Sequence, residues 1–439
     1  MAKPLTGREA AFQALCRMAA GGYSNLTLDA LLQQTPDGRE RAFAAALFYG
    51  TLERRLTLDK ALSRCLKKPP GKLDAEVLAA LELAAYQLLY LPHIPERAAV
   101  GESVELVKHS RKKSAAGFVN GVLRSFLRGG KALPVPADPL AALELETSMP
   151  RWILALWAEQ YGEETAAALA KSCLGRPSLQ LRANTLKAAP EALAAELAAA
   201  GAAVERHPLL ENCLTAAGLG AVGSLPAYLE GRCYVQDAAS QLCAAAVAPE
   251  PGETVFDLCA APGSKSFTMA QLMQDKGLIR AFDLHPQRVG LIREGAGRLG
   301  ISIIQAETGD ASVFRESLGR ADRVLCDVPC SGLGVIRRKP EIRQKPPGQI
   351  GRLPALQLAI LSNGADYVKP GGVLVYSTCA LNRAENDEVA AAFLAKRPDF
   401  APDPLPGCFG GLGEGHTATL MPHRGGYDGF FIARFRRIG

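Results

Sequence analysis

Two cysteines stand where apolar runs pass into loops. Asp327 closes the run R-V-L-C-D and leads into V-P-C-S-G, so Cys330 follows a carboxylate by three residues. The run V-L-V-Y-S leads into T-C-A and puts Cys379 in the same kind of position. A thiolate is a strong nucleophile and can split one hard step into easier ones through a covalent intermediate. Carbon 5 of cytosine cannot attack a methyl sulfonium unaided, but a thiolate added at carbon 6 turns it into an enamine-like carbon that can. The adduct carries negative charge on the ring and calls for an acid at nitrogen 3, a place Asp327 would fill if it carries the proton. The hydrogen on carbon 5 must then leave, and this release step is assigned to Cys330, with Cys379 as the attacking thiol. Most cysteines are small residues chosen for packing, so a lone one would argue little; two beside an aspartate argue more.

A second group of residues points to the methyl donor. After T-V-F-D-L comes C-A-A-P-G-S-K, comprising Cys259, Ala260, Ala261, Pro262, Gly263, Ser264 and Lys265, and then a helix-length segment. Small residues and one glycine allow a sharp turn, and the helix start beyond it offers free amides to an anionic group. Asp283, twenty residues past Gly263, ends the next apolar run, where an acidic side chain typically grips ribose hydroxyls. Asp310, in T-G-D-A after the third run, is placed to accept from an adenine amino group. This loop carries no G-x-G-x-x-G or G-K-[ST] to hold a pyrophosphate or nucleotide phosphates. The loop therefore suits the methionine carboxylate of S-adenosylmethionine better than a dinucleotide. Taken singly, the loop residues could serve packing and Asp310 could cap a helix; their order at successive strand ends favours a site.

The elements that must position these residues follow from periodicity. From Tyr234 onward T-V-F-D-L, L-I-R-A-F-D-L, I-S-I-I-Q, R-V-L-C-D and V-L-V-Y-S alternate with helix-length segments, which predicts a Rossmann-like, doubly wound parallel sheet over 234–439. Such sheets bind ligands beyond the carboxyl ends of their strands. Residues 1–130 read as an all-α bundle: Val119, Val122, Leu123, Phe126 and Leu127 form one helical stripe, and Val77, Leu81, Ala85 and Leu88 another. Pro92 and Pro95 break the chain after Tyr90, and Gly129-Gly130 ends the last helix. Residues 131–147 read as a proline- and glycine-rich linker, and 148–233 as a small α+β domain. A multidomain chain is also what 439 residues predict, since one core stops growing well before that size.

Composition narrows the class. The first 130 residues carry a net charge of +7 and the remainder −1, which suggests that the bundle meets a polyanion, a solvated helix surface being the alternative. Eleven cysteines without a C-x-x-C pair indicate reduced thiols and no metal. No apolar run is long enough for a membrane span, and the opening M-A-K-P-L-T-G-R-E-A lacks a signal-peptide core, so a cytoplasmic location is expected.

D-x-C-A-A-P-G-x-K, D-V-P-C-S-G-x-G-V-I-R-R and Y-S-T-C resemble the motifs of RNA 5-methylcytosine methyltransferases of the NOL1/NOP2/Sun type. The resemblance implies that Cys379 is the nucleophile, that Cys330 assists release, and that Arg288 and Asp327 join the cofactor-binding set. Pro422 to Phe431, ending in D-G-F-F, resembles the family's last core motif. Ala84 to Arg97 and Phe118 to Arg124 resemble the helical RNA-binding domain of NusB. This combination implies a small-subunit (16S) ribosomal RNA substrate met by a monomer, with transfer RNA, or a non-catalytic assembly role, as alternatives. Lys108, Arg111, Lys112 and Lys113 then become candidate phosphate contacts, and the target cytosine must be unpaired or flipped. Three positions depart from the family pattern: Ser264 stands where a second glycine is usual, Ala380 where serine is usual, and Gln344-Lys345-Pro346 where a tryptophan-containing stretch is common.

Overall fold

The computed structural model describes residues 4–19, 21, 24–413 and 415–439. Two compact units make up the chain: Met1–Gly175 with Ile336–Lys345, and Arg176–Val335 with Pro346–Gly439.

The first unit is helical. Its helices are α1 (Gly7–Met18), α2 (Ser24–Leu32), α3 (Gly38–Ser63), α4 (Ala75–Tyr90), α5 (Glu96–Lys108), α6 (Ala116–Arg128), α7 (Pro139–Thr147), α8 (Arg151–Tyr161) and α9 (Glu163–Ser172). Thr6 and Glu9 cap α1 reciprocally, and the Asp37 side chain caps α3, as these residue types at helix starts predict. Val77, Leu81, Ala85 and Leu88 are buried in the bundle core with Val119, Val122, Leu123 and Phe126, while Leu127 packs at its margin. Fully buried Glu82 is held by the Arg55 guanidinium through two hydrogen bonds of 2.8 and 2.9 Å, which offsets the cost of burying the charge.

The segment read as a linker, 131–147, holds a helix in its second half. Asp138 accepts from the Ala141 amide at 2.8 Å and Pro139 occupies the first helical position, so the proline that reads as a breaker is a helix start. By contact, helices α8 and α9 group with the first compact unit. So does Ile336–Lys345, which begins six residues after Cys330. There Ile336, Ile342 and Arg343 are buried, and Arg343 donates to the Cys173 carbonyl at 3.0 Å.

The second unit has two sheets. The smaller is antiparallel in the order β2-β3-β1-β4, from β1 (Leu179–Ala183), β2 (Ala203–His207), β3 (Leu210–Ala217) and β4 (Cys233–Val235), with α10 (Pro190–Ala199) and the short α11 (Pro226–Leu229). The larger sheet runs β10-β12-β9-β8-β5-β6-β7, with β11 paired to β12. Its parallel core is β5 (Thr254–Asp257), β6 (Leu278–Asp283), β7 (Ile304–Thr308), β8 (Ala321–Asp327) and β9 (Val368–Thr378). Helices α12 (Ala238–Val247), α13 (Ser264–Leu272), α14 (Pro286–Leu299), α15 (Leu353–Asp366) and α16 (Asp387–Lys396) accompany these strands. The expected parallel sheet gains antiparallel strands at one side: β10 (Phe400–Pro402), β11 (Thr417–Leu420) and β12 (Phe430–Arg437), the last two flanking the short α17 (Pro422–Gly425). Strand order reverses between β5 and β8, because β5 to β7 extend one way and β8 to β9 the other; crevices that take ligands open at such points.

Candidate active site

The loop after β5 is built for close approach. Gly263 has φ +108°, and a β-carbon there would lie 2.5 Å from the Phe267 ring, so only glycine fits without rearrangement. The loop is pinned by the Ala260 amide donating to the Phe282 carbonyl at 2.7 Å, and Ser264 then opens α13. Behind the loop, Asp257 is fully buried and accepts from Ser266 Oγ at 2.7 Å; burial pushes its carboxyl up to about 7.

The next strand ends bring the other expected cofactor residues alongside. Asp283 closes β6 and accepts from the His285 amide at 3.1 Å. Arg288 reaches Asp283 at 3.3 Å and the Ala261 carbonyl at 2.9 Å, so it ties the two loops together. The Gly309 amide donates to the Asp283 carbonyl at 3.0 Å and sets Asp310 beside them. One Asp310 oxygen accepts from the Ser312 amide and hydroxyl, bonds that hold its carboxyl below the usual value. These acceptors and the α13 amino terminus fit the donors and carboxylate of S-adenosylmethionine.

At the reversal point Asp327 ends β8, opposite Ser377 of β9. It accepts from Lys265 Nζ at 2.7 Å and from Ser377 Oγ at 2.8 Å. Burial pulls the Lys265 ammonium down, but Asp327 and its acidic surroundings outweigh this and raise it. Lys265 also lies 5.2 Å from the Phe430 ring centroid, which brings the D-G-F-F segment to the site.

The two sulfurs meet. Cys330 Sγ and Cys379 Sγ are 3.1 Å apart. The hydrogen bond with Cys379, burial and the neighbouring negative charges drive the Cys330 thiol well above its ordinary value, and either sulfur can donate in their contact. Backbone crossings fix the loops: the Gly334 amide donates to the Cys379 carbonyl and the Gly429 amide to the Gly334 carbonyl, each at 2.9 Å. A β-carbon on Gly334 would come within 2.0 Å of the Gly429 carbonyl oxygen, so this crossing requires glycine.

Sequence reasoning missed the residues around the sulfurs: Gln357, Ser377, Thr378, Glu385 and Asn386. The one signal, and only for Glu385 and Asn386, is the polar run N-R-A-E-N after T-C-A-L, which by itself reads as a helix start. Of the departures, Ala380 is fully buried and donates its amide to Thr378 Oγ1 at 3.2 Å. The Ser264 carbonyl accepts from Gln236 Nε2 at 3.1 Å. Gln344 belongs to the helical unit, where it accepts from Arg55 at 3.0 Å. Lys108, the last residue of α5, and Arg111, Lys112 and Lys113, which follow before α6, also lie in that unit, with Lys108 paired to Glu105 and Lys112 to Asp74. Among the described residues, no cluster of His, Cys, Asp or Glu suits a metal ion, and no helix is long and apolar enough to cross a membrane.

Three family models match the chain: the NusB family over residues 6–128, the ferredoxin-like domain of RsmF/B-like methyltransferases over 149–222, and 16S rRNA methyltransferase RsmB/F over 244–436. The chain is 41% identical over its whole length to the whole of "Probable ribosomal RNA small subunit methyltransferase B" of Bacillus subtilis (strain 168). It is 35% identical to a protein of the same name from Synechocystis sp., with 94% of this chain and 95% of that one covered. Among solved structures, that of PH0851 superposes with a TM-score of 0.89 at 28% identity, covering all of both chains.

Proposed function

The chain belongs to the RsmB/F family of 16S rRNA methyltransferases, and from that premise we propose that it methylates carbon 5 of a cytosine in small-subunit rRNA through a covalent adduct on Cys379. The observation that carries this reading is the pair of sulfurs 3.1 Å apart, at the edge of the sheet that also bears the cofactor loop.

S-adenosylmethionine, held by the loop 259–265, Asp283, Arg288 and Asp310, supplies the methyl group. Cys379 loses its proton to solvent and, as thiolate, attacks carbon 6 of an unstacked cytosine. Lys265 donates to the ring nitrogen as charge accumulates there, and Asp327 holds the ammonium in place. Carbon 5 then takes the methyl group.

Release uses the same sulfur pair. Once Cys379 has become a neutral thioether, the hydrogen bond that raises Cys330 most strongly and the charge beside it are both gone. Cys330 can then lose its proton to solvent and, as thiolate, take the proton from carbon 5. The electrons of that C–H bond rebuild the ring double bond and expel Cys379. The base becomes available at the step that needs it.

The test is incubation of the protein with labelled S-adenosylmethionine and, separately, unmethylated small-subunit rRNA, large-subunit rRNA and transfer RNA, with methylcytosine mapped by bisulfite sequencing. One modified cytosine in small-subunit rRNA, lost in Cys379→Ala, is the expected result. Label in transfer RNA alone would overturn the substrate, and label at a base other than cytosine would overturn the chemistry.

A further inference from the structure

Glu385 is fully buried, in the stretch that leads from Cys379 to α16. Its carboxylate accepts from the Ser331 amide at 2.8 Å, from Gln357 Nε2 at 3.0 Å and from Asn382 Nδ2 at 3.0 Å. Gln357 also donates to the Pro329 carbonyl at 3.0 Å. The backbone on both sides of Cys330 is therefore held by one carboxylate and the amide bonded to it. The adjacent residue does the same for the other sulfur: Asn386 accepts from Thr378 Oγ1 at 2.6 Å and donates to the Ala380 carbonyl at 2.9 Å, and these two residues flank Cys379. Burying a carboxylate is costly unless donors surround it, and a residue needed only to fill space would be apolar.

We propose that Glu385 is a positioning residue for the release step: it holds Cys330 at the distance from Cys379 at which it can reach the proton on carbon 5 of an adduct. The neighbouring Asn386 fixes Cys379, so two consecutive residues set the spacing of the sulfurs. This inference rests on the covalent reading above.

The variant Glu385→Gln keeps the shape but turns one acceptor into a donor facing the Ser331, Gln357 and Asn382 donors. A shift of about 1 Å at a reacting group costs roughly a hundredfold in rate, and that is the slowing of release expected here. Glu385→Gln should therefore accumulate a denaturant-resistant adduct with ordinary cytosine RNA, as Cys330→Ala should, and adding Cys379→Ala should remove it. Mere loss of structure would abolish the adduct and cofactor binding together. Turnover equal to that of the unaltered protein, or loss of attack with cofactor binding retained, would overturn the proposal. If Cys330→Ala itself forms no adduct, the release reading fails, and spacing is then read directly. Diamide, a two-electron thiol oxidant, should join Cys330 to Cys379 in the unaltered protein and do so roughly a hundredfold more slowly in Glu385→Gln. An unchanged rate would remove any positioning role for Glu385.

Discussion

At the scale of single residues, the two cysteines are expected to fail differently although their sulfurs touch. Cys379→Ala should end methyl transfer while leaving cofactor affinity near normal by calorimetry. Cys330→Ala should pass the methyl group and then hold the RNA, seen as a denaturant-resistant band; identical behaviour of the two variants would refute the division of roles. Both cysteines are legible in the sequence because each follows directly on an apolar run. The bonding of Asp327 is not, because its partner Lys265 comes from a loop 62 residues away and the parallel sheet alone brings them together. Glu385 is hidden likewise, because its partners Ser331 and Gln357 lie 54 and 28 residues away, whereas Asn386 bonds locally to Thr378 and Ala380. A different carboxyl sets a pH response in the helical unit: Asp59 is pushed from 3.8 up to about 7, by burial first and then by Glu82. Its folded value is the raised one, so the stability it lends is full below pH 3.8 and is lost as pH rises through about 7. Asp59→Asn should flatten that decline in melting temperature, and an unaltered slope would show that the proton is not held there.

At the scale of elements, the strands that carry chemistry are those the sequence marks best. Buried parallel strands need continuous apolar runs, and β5, β6, β8 and β9 supply them. The strand expected as I-S-I-I-Q begins later, at Ile304, because Ile301 still closes the end of α14 by donating to the Ala296 carbonyl. Strand β12 carries buried Arg434, whose charge disguises it in the sequence and is matched by Asp403 at 2.7 Å. Helix α7 is disguised by its own first residue, Pro139. The turn between β5 and α13 is the element most exposed to a small change. Gly263→Ala forces a side chain into a left-handed backbone and into the Phe267 ring, at a cost of about 1–3 kcal/mol. Affinity for S-adenosylmethionine should fall about tenfold or more on that scale, and calorimetry would show whether it does.

At the scale of the whole molecule, the charge asymmetry predicts how RNA is held. If the basic residues between α5 and α6 meet phosphates, Arg111→Ala and Lys113→Ala should each lower the slope of log affinity against log salt by about 1. Lys108 and Lys112, already paired with Glu105 and Asp74, should contribute less, and slopes unchanged in all four variants would remove this loop from the interface. The division into helices followed by sheets is legible from periodicity; the division into units is not, because Ile336–Lys345 joins the helices across a long stretch of chain. That segment also sets the order in which a growing polypeptide can mature. The helical unit leaves the ribosome first, yet Ile342 and Arg343 reach their buried positions only after Cys330 has been translated. A chain that stalls before residue 345 thus lacks the last segment of its first compact unit, which can be completed only after Arg176–Val335 of the second has been made.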